Sequence, residues 1–360
     1  MLLPSTSGSD PWPGRARSGR DAVTKLAHRR ILNAITLLSQ HVVEEALAHY
    51  NIGRLLRCWP ANGGIENTNY FLGTTSGDYV LTLLERPPYS GDEYFNLLLQ
   101  LDDAGLPVPA PLPDRRGRLD LMLQGKTAML QRKLPGSHAT LPTEAQLAAL
   151  GRVVARLHLT AAPVASRIPA HPRDSQWLQQ RAAACYGRVG FSSAASLETA
   201  LTTIQSILGR ADVGALPRGV IHGDIFRDNV LFDHNTLTGI IDFHHAAHGP
   251  LIFDLGVIVN DWCCDVTGQL NTEKLMALMR DYHGVRELSR QELWFFSPFR
   301  LYAATSFWLW RLHISIEASG NPATRTLNPR EMKRIVQNLL RGFDYIDERI
   351  FDPNTVRGLS

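Results

Sequence analysis

The spacing of apolar residues changes along the chain and separates two kinds of structure. Between residues 63 and 131, short apolar runs alternate with polar and glycine-containing turns, which predicts strands. From Thr143 onward, apolar residues recur every three or four positions, as they do on one face of a helix. The pattern therefore predicts an α+β protein, with a small antiparallel β-rich part followed by a larger, mainly helical part.

The same pattern gives bounds for individual elements. A polar turn at residues 63–69 leads into a strand that pairs with a second strand at 79–84. Further strands are predicted at 119–123 and 127–131. Helices are predicted at 38–47, 92–104, 143–158, within 175–210, from 253, and at 273–282, 292–318 and 329–349.

The segment 220–242 carries the most informative pattern. Two apolar runs, 220–221 and 230–232, flank a polar loop that holds Asp224 and Asn229, and a third run, 237–241, ends on Asp242. Such runs predict a small hairpin-rich sheet that sets an acid, an amide and a second acid on adjoining loops. In phosphoryl transfer, a carboxylate orients the attacking hydroxyl while oxygen ligands hold Mg²⁺ on the phosphates. Alternatively, these are ordinary loop residues that cap turns.

Two motifs in this segment carry a family resemblance. H-G-D-x-x-x-x-N at residues 222–229, followed by I-I-D at 240–242, resembles the catalytic and metal loops of protein-kinase-like enzymes, in the version of the aminoglycoside and choline kinase branch. H-G-D-I-F-R-D-N-V-L-F-D, with L-T-G-I-I-D-F and F-D-L-G-V-I-V-N-D-W-C, resembles the homoserine kinase family of that branch. The resemblance runs from about residue 47 to about residue 343 and implies a two-lobed protein-kinase-like fold.

The resemblance also implies a reaction, the ATP-dependent phosphorylation of L-homoserine to O-phospho-L-homoserine for threonine synthesis. In this scheme Asp224 orients the acceptor hydroxyl, and Asn229 and Asp242 hold Mg²⁺. Another kinase of the same branch, acting on choline, ethanolamine, an aminoglycoside or a sugar, stays open as an alternative. A pseudokinase binding module is a further alternative, although such a module has no need of all three residues.

Nucleotide contacts are implied in the β-rich lobe. G-I-E-N-T-N-Y-F, residues 64–71, resembles the family's nucleotide loop but lacks G-x-G-x-x-G, and a plain polar hairpin tip is the alternative. Thr82 stands where kinases carry a lysine for the phosphates, which leaves Arg86 and Lys126 as candidate cations. Residues 132–136 would form the hinge that meets adenine. The candidate nucleotide-binding residues are Asn67, Thr68, Asn69, Thr82, Gln131 and Lys133.

A zwitterionic acceptor needs a cation for its carboxylate and a hydrogen-bond acceptor for its ammonium group. F-W-L-W-R-L, which holds Arg311, resembles the corresponding helix of homoserine kinases, and Arg300 lies about three turns earlier on nearly the same face. We therefore predict that Arg311, then Arg300, binds the carboxylate and that Asp261 binds the ammonium group. Structural ion pairs are the alternative for each arginine.

Other residues near these motifs have less specific roles. The remaining candidates for the acceptor pocket are Arg227, His244 and His245, and for Arg227 an ion pair with Asp228 is the alternative. A choline cage could instead be built from Trp262, Trp308 and Trp310. His158 and Asp254 are predicted to be structural, and the resemblance implies that Asp254 holds the catalytic loop by accepting backbone N–H bonds.

Composition narrows the class of protein. The chain has 360 residues, 44% hydrophobic and 20% charged, which is typical of a globular protein long enough for two lobes. The net charge of the chain is +3, and residues 1–30 alone contribute +4. The rest of the chain is therefore close to neutral, so its charge indicates no nucleic-acid or membrane partner. The four cysteines lack metal or redox spacing, and the start M-L-L-P lacks a signal peptide, so we expect a cytoplasmic protein.

We predict four segments along the chain. Residues 1–20 form a disordered basic tail, for which an organelle transit peptide is the alternative. Residues 21–134 contain N-terminal helices and the β-rich nucleotide-binding lobe, and residues 135–350 form the helical catalytic and acceptor-binding lobe. Residues 351–360 form a C-terminal tail. The apolar stretch 293–312 is interrupted by proline and arginine, so it is predicted to be a buried helix rather than a membrane span.

Overall fold

An antiparallel sheet of five strands forms the smaller lobe, with the strand order β1-β2-β3-β5-β4. The computed structural model describes residues 36–61, 67–85, 91–317, 328–343, 346 and 351. The strands are β1 (Leu55–Pro60), β2 (Thr68–Thr74), β3 (Gly77–Leu83), β4 (Leu121–Leu123) and β5 (Lys126–Arg132). The helices of this lobe are α1 (Gln40–Leu47) and α2 (Gly91–Asp103).

Alternation along the strands gives the sheet two different faces. On one face, buried residues such as Leu72, Leu81 and Leu130 form the core of the small lobe together with α1. The opposite face lines a cleft and carries Asn69, Phe71, Val80, Thr82, Met129 and Gln131. Three of the polar candidates predicted from the sequence, Asn69, Thr82 and Gln131, therefore lie on the face that meets the cleft.

The larger lobe is mainly helical. Its helices are α3 (Glu144–Thr160), α4 (Ser175–Cys185), α5 (Phe191–Leu208), α6 (Ile252–Trp262), α7 (Thr272–Val285), α8 (Arg290–Glu317) and α9 (Pro329–Arg341). α3 starts at a capping box between Thr143 and Gln146 and packs closely against α7. Gly151 allows this approach, since a Cβ there would lie 2.3 Å from the Leu278 carbonyl oxygen. α6 and α9 both pack against α8.

Two small sheets position the segment 220–242, which holds Asp224, Asn229 and Asp242. β6 (Ser137–His138), β8 (Val230–Asp233) and β9 (Thr236–Ile240) form one, and β7 (Arg218–Ile221) pairs with β10 (Ala247–Pro250) in the other. This corrects the prediction of a single hairpin sheet for segment 220–242, because the first apolar run pairs with a strand beyond Asp242. The loop from β7 to β8 and the loop from β9 to β10 join the same two sheets, so the two loops lie side by side.

Most predicted elements are confirmed, with differences at their ends. The helices predicted at 92–104, 143–158 and 273–282 correspond to α2, α3 and α7 within a few residues. The helical region 175–210 divides into α4 and α5 at a short 3₁₀ turn, Tyr186–Arg188. The helix predicted at 329–349 ends at Arg341, before Gly342. The sequence pattern does not predict β1, because its residues are mostly exposed and show no apolar alternation.

Several predictions fall outside the described residues. These include the basic tail, Arg86, residues 352–360 of the C-terminal tail, and part of the nucleotide loop at residues 62–66. The predicted segment boundaries stay predictions. Within the described ranges, no helix combines the length and the apolar character that crossing a membrane requires.

Candidate active site

A cleft of about 610 Å³ lies between the five-stranded sheet and the larger lobe. The predicted site residues that line it are Asn67, Asn69, Thr82, Gln131, Lys133, Asp224, Asn229, Asp242, His244, His245 and Arg311. The other four candidates, Thr68, Arg227, Asp261 and Arg300, are not part of this lining. The cleft thus brings together residues from β2, β3, β5, α8 and the two loops that join β7 to β8 and β9 to β10.

Asp224 and Asn229 are joined directly within the loop that follows β7. Asn229 Nδ2 donates to the Asp224 carbonyl oxygen at 2.8 Å and to Asp224 Oδ2 at 2.9 Å. A short 3₁₀ turn, Arg227–Asn229, brings the two residues within reach of each other. This contact fixes the orientation of the Asp224 carboxylate and leaves Asn229 Oδ1 as the side-chain oxygen able to bind a cation.

The start of this loop is anchored from α6. Asp254 accepts hydrogen bonds from the backbone N–H groups of His222 (2.7 Å) and Gly223 (2.8 Å), as the family resemblance implies. Gly223 has φ +79°, and a Cβ there would lie 3.0 Å from the His245 carbonyl oxygen, so glycine suits both the conformation and the space. Trp262 Nε1 donates to the Ile225 carbonyl oxygen at 3.0 Å and holds the next turn of the loop.

Asp254 and its partners form a buried polar group beneath the loop. Burial alone would raise the pKa of Asp254, but the hydrogen bonds from His158 and from the Gly223 backbone N–H hold that pKa below its ordinary value. His158 Nε2 lies 3.1 Å from Asp254 Oδ2, and its Nδ1 lies 2.7 Å from the hydroxyl of Tyr282. His158 is fully enclosed at its side chain, which confirms its predicted structural role.

His222 adds a second support to the loop. Burial lowers the pKa of His222, so its ring is neutral. Its Nδ1 accepts from the Asp224 backbone N–H at 3.2 Å, and its Nε2 donates to the Ile241 carbonyl oxygen at 3.0 Å. The histidine of the H-G-D motif therefore ties the catalytic loop to the residue before Asp242.

Asp242, two residues after the end of β9, adopts a left-handed backbone conformation, φ 70° and ψ 55°. The Ile241 backbone N–H donates to the Asn229 carbonyl oxygen at 2.9 Å, which places Asp242 beside Asn229. His244 contacts the Asp242 carboxylate through Nδ1. Asn229 and Asp242 supply hard oxygen atoms of the kind that bind Mg²⁺. The described residues contain no group of three or more His, Cys, Asp or Glu that could hold a metal alone, so phosphate and water oxygens would complete such a site.

The nucleotide candidates divide between the cleft and the small-lobe interior. Thr82 Oγ1 donates to Asn69 Oδ1 at 2.6 Å and accepts from Gln131 Nε2 at 3.2 Å, so the position of the missing lysine holds an uncharged hydrogen-bonded chain. Thr68 is buried on the other side of β2 and donates to Glu85 Oε1 at 2.6 Å. Lys126, one of the two candidate phosphate cations, for which a solvated surface charge is the alternative, also contacts Glu85 and does not line the cleft.

The acceptor candidates are placed unevenly. Arg311 is 4% exposed, lines the cleft, and lies over the Phe226 ring at 5.5 Å. Arg300, by contrast, is buried beside Asn260, and its Nε donates to Asn260 Oδ1 at 3.2 Å. The structure thus brings only the first of the two predicted arginines to the cleft. Trp310, unlike Trp262 and Trp308, also lines it.

Arg227 and Asp261 form a partly buried ion pair beside the cleft. Asp261 Oδ2 accepts from the Arg227 backbone N–H at 2.8 Å and from its Nε at 3.2 Å, and Asp261 Oδ1 accepts from Nη2 at 3.3 Å. Burial alone would lower the pKa of Arg227, but Asp261 raises it. This contact orders the loop between Phe226 and Asn229.

Sequence reasoning missed some residues of the cleft wall. Asp228 lines the cleft, whereas the sequence suggested only an ion pair between it and Arg227. Phe307 also lines the cleft, and its ring lies 4.6 Å from that of Phe226. Phe307, Trp310 and Arg311 follow the i, i+3, i+4 spacing of one helix face, which is a signal the sequence did contain.

Comparison with known proteins shows which family this chain matches. Residues 58–288 match the phosphotransferase enzyme family. The homoserine kinase of Polaromonas naphthalenivorans (strain CJ2) is 34% identical over 299 residues, which cover 82% of this chain and 93% of that protein. The homoserine kinase of Pseudomonas aeruginosa (strain LESB58) is 35% identical over 305 residues, 84% of this chain and 95% of the relative.

Solved structures share the fold at low sequence identity. A spectinomycin phosphotransferase in complex with ADP and spectinomycin has a TM-score of 0.63 and 16% identity, covering 85% of this chain and 98% of its own. An amicoumacin kinase in complex with AMP-PNP, Ca²⁺ and Ami has a TM-score of 0.63 and 14% identity, covering 89% and 98%. The predicted two-lobed fold, with a small antiparallel sheet and a larger helical lobe, is therefore confirmed.

Proposed function

The chain belongs to the phosphotransferase enzyme family, and on that premise we propose that it is a homoserine kinase. It transfers the γ-phosphoryl group of ATP to the hydroxyl of L-homoserine and gives O-phospho-L-homoserine, a step of threonine synthesis, in the cytoplasm. One observation supports the reaction type most directly: the Asn229 side chain holds the Asp224 carboxylate by a hydrogen bond at one wall of the cleft, beside Asp242. Relatives of that name, similar over most of their length, support the choice of acceptor.

The role of Asp224 follows from its fixed orientation. Because Asn229 binds one carboxylate oxygen, the group faces the cleft in a defined direction and can align the acceptor hydroxyl with the phosphorus atom. As the new P–O bond forms, the bond between the γ-phosphorus and the oxygen of the β-phosphate breaks, ADP leaves, and the proton of the hydroxyl passes to Asp224. A loose transition state needs little proton abstraction, so alignment is the larger part of this contribution.

Asn229 and Asp242 are suited to hold Mg²⁺ against the phosphates. Each has an oxygen that can face the cleft, and the two residues are tied together through the Ile241 backbone. Bound Mg²⁺ would compensate the charge that develops on the phosphoryl oxygens. This matters more than usual here, because Thr82 supplies no positive charge where most kinases have a lysine.

Arg311 is the proposed ligand of the acceptor carboxylate. Its Nη1 donates to Glu331 Oε2 at 2.8 Å and to the Asn328 carbonyl oxygen at 3.2 Å. Its buried Nε has no hydrogen-bond partner among the residues that the structure describes. The Nε edge of the guanidinium group can therefore receive a carboxylate, and the low exposure of Arg311 strengthens such a contact.

The ammonium group of the acceptor needs a carboxylate at the same cleft. Asp261, predicted from the sequence, has both of its oxygens engaged by Arg227 and does not line the cleft. Asp228 does line it, two residues after Phe226, over which Arg311 lies. We therefore assign the ammonium contact to Asp228, with Asp261 ordering the loop through Arg227.

A choline kinase is the second candidate, and the aromatic residues bear on it. Trp262 and Trp308 are each 1% exposed and do not line the cleft, which leaves Trp310 of the three tryptophans to contact a quaternary ammonium group. A single tryptophan does not make a cage, although Phe226 and Phe307 are near it. An acceptor with a carboxylate can bind the buried Nε of Arg311, which has no partner among the described residues, whereas choline has no group to accept from it.

The test is kcat/KM for L-homoserine measured against choline, L-serine and L-threonine, with ATP and Mg²⁺. We expect L-homoserine to be preferred over choline by at least about tenfold, because choline lacks the carboxylate that Arg311 is proposed to bind. L-serine and L-threonine carry the same charged groups but a hydroxyl one carbon closer to them, so we expect their hydroxyl to be misaligned with the phosphorus atom and their kcat/KM to be lower. A preference for choline, or no turnover of L-homoserine above background, would overturn the proposed acceptor.

A further inference from the structure

Gln131, a residue of the cleft wall, has a buried side-chain oxygen to which none of the described residues donates a hydrogen bond. Gln131, the next-to-last residue of β5, lines the cleft where the chain is about to cross between the lobes at residues 132–136. The residue is 8% exposed. Its Oε1 is buried and has no hydrogen-bond partner among the described residues. A buried carbonyl oxygen left unpaired costs free energy, so this atom points to a ligand that donates to it.

The orientation of the Gln131 amide follows from its neighbours on the sheet. Thr82 has one hydroxyl proton, which it donates to Asn69 Oδ1 at 2.6 Å. Thr82 Oγ1 can then only accept from Gln131, so Nε2 faces Thr82 at 3.2 Å and Oε1 faces away from it. The side chains of Asn69, Thr82 and Gln131 lie on the cleft face of β2, β3 and β5. There they form a chain of two hydrogen bonds, here called the relay, in which Gln131 donates to Thr82 and Thr82 donates to Asn69.

The other end of the relay has a matching requirement. Because Asn69 Oδ1 accepts from Thr82, the amide N–H groups of Asn69 are the donors it can offer to the cleft. Phosphate oxygens only accept hydrogen bonds, so phosphates near Asn69 favour this orientation. The reversed relay would turn the Asn69 oxygen toward the phosphates and the Gln131 N–H groups toward the base.

The place of the purine base follows from the apolar part of the lining. Val80 and Met129 on the sheet face Leu231 and Ile241 of the larger lobe across the cleft, beside the crossing segment that starts after Gln131. A flat base between these side chains has its edge toward β5 and the crossing segment. The catalytic residues Asp224 and Asp242 lie on the larger lobe, where the phosphates must end.

We propose that Gln131, oriented by Thr82 and Asn69, selects purine nucleotides that carry an amino group at position 6. The 6-amino group of adenine donates to Gln131 Oε1, whereas the 6-oxo group of guanine or hypoxanthine places an acceptor against it. The proposal rests on the proposed function only in that the cleft binds a nucleoside triphosphate. It adds that the choice of base is linked to the phosphate end through a hydrogen-bond relay.

The first test compares ATP with inosine triphosphate, which differs from ATP in the 6-oxo group and the accompanying N1–H and lacks the 2-amino group of guanine. We expect kcat/KM, measured with L-homoserine, to favour ATP by about ten- to a hundredfold, the range for leaving a buried polar group unpaired. Calorimetric binding of ADP and inosine diphosphate with Mg²⁺, without any acceptor, should give a preference in the same direction.

The second test breaks the relay without removing Gln131. Thr82→Val keeps the shape and the strand preference but lacks the hydroxyl, so the Gln131 amide can turn and the preference for ATP should fall to within about threefold. Thr82→Ser is the matched control, since it keeps the hydroxyl and should keep the preference. Gln131→Met should lower kcat/KM for ATP and leave the value for inosine triphosphate nearly unchanged.

The outcomes separate this inference from the proposed function. A wild-type preference for ATP below about threefold, a preference for the 6-oxo nucleotide, or a Thr82→Val variant that keeps the full preference would overturn the relay. If L-homoserine is not phosphorylated, the binding comparison of ADP and inosine diphosphate still decides the matter, because it uses no acceptor. Selective ADP binding without homoserine turnover would support the relay and contradict the acceptor.

Discussion

Asp224 and Asp242 belong to adjoining loops, but we expect that replacing each of them has a different effect on turnover and on nucleotide binding. Asp224→Ala removes the carboxylate proposed to align the hydroxyl, so we expect kcat to fall by about 10²–10⁴-fold while the affinity for Mg·ATP changes little. Asp242→Ala removes a proposed Mg²⁺ ligand, so Mg²⁺-dependent nucleotide binding should be lost. Steady-state kinetics and calorimetric titration of ATP with and without Mg²⁺ measure the two effects. Near-normal turnover by Asp224→Ala would contradict its role.

Arg311 offers a test of the acceptor carboxylate. We expect Arg311→Leu to raise KM for L-homoserine by about ten- to a hundredfold, since a charge-assisted hydrogen bond in a buried site is lost, and to change KM for ATP much less. Arg334→Leu on α9 is the matched control, because Arg334 is exposed and does not line the cleft. Equal increases in both KM values would indicate a general loss of structure rather than a lost contact.

Individual site residues could be predicted where the residues that act together also stand close together in the sequence. Asp224, Asn229 and Asp242 stand in short motifs whose spacing already places them on adjoining loops. The partner of Arg227 was not predictable in the same way. Asp228 is its neighbour in sequence, but the ion pair forms with Asp261, 34 residues further on, because α6 packs behind the loop.

At the scale of elements, α6 determines the geometry of the catalytic loop through one carboxylate. We expect Asp254→Asn to destabilise the protein by about 2–4 kcal/mol at neutral pH, since two backbone N–H groups and His158 lose a charged partner. Thermal unfolding monitored by circular dichroism measures the loss. Asp102→Asn, an exposed position on α2, should change little by comparison.

The same carboxylate gives a pH dependence with a defined sign. The folded protein holds the pKa of Asp254 below its ordinary value, so its contribution to stability is present above about pH 4 and is lost as the pH falls further. The stability difference between wild type and Asp254→Asn should therefore shrink as the pH drops below about 4. A difference that stays constant down to pH 2 would contradict the assigned ionisation.

The sequence predicted helices better than the pairing of strands. The amphipathic spacing of α3 and α7 is a local property, and both helices lie close to their predicted bounds. The β7–β10 pair depends on two segments separated by the whole β8–β9 hairpin, so nothing in either run alone indicates the partner. The relay from Asn69 to Gln131 likewise depends on the register of three strands.

At the scale of the whole molecule, the cleft is built from both lobes, so nucleotide binding should stabilise the entire fold. At a Mg·ADP concentration one hundred times the Kd, linkage gives about 2.7 kcal/mol of added stability. We expect this to appear as a rise in Tm that requires Mg²⁺, measured by differential scanning calorimetry. Asp242→Ala should show no additional rise when Mg²⁺ is added to ADP, and a Tm shift independent of Mg²⁺ in the wild type would contradict the metal site.

Phe307, Trp310 and Arg311 share one face of α8, whereas Asp224, Asn229 and Asp242 stand on the loops between β7 and β10. The proposed acceptor contacts are therefore divided, because Arg311 belongs to the helix and Asp228 belongs to the first of the two loops. Substitutions on the helix face can change the acceptor without altering the residues proposed to transfer the phosphoryl group. A substitution at Asp228 is more constrained, since Asp228 precedes Asn229 in the same 3₁₀ turn. Engineering of a new acceptor range in this protein therefore has its widest scope on α8.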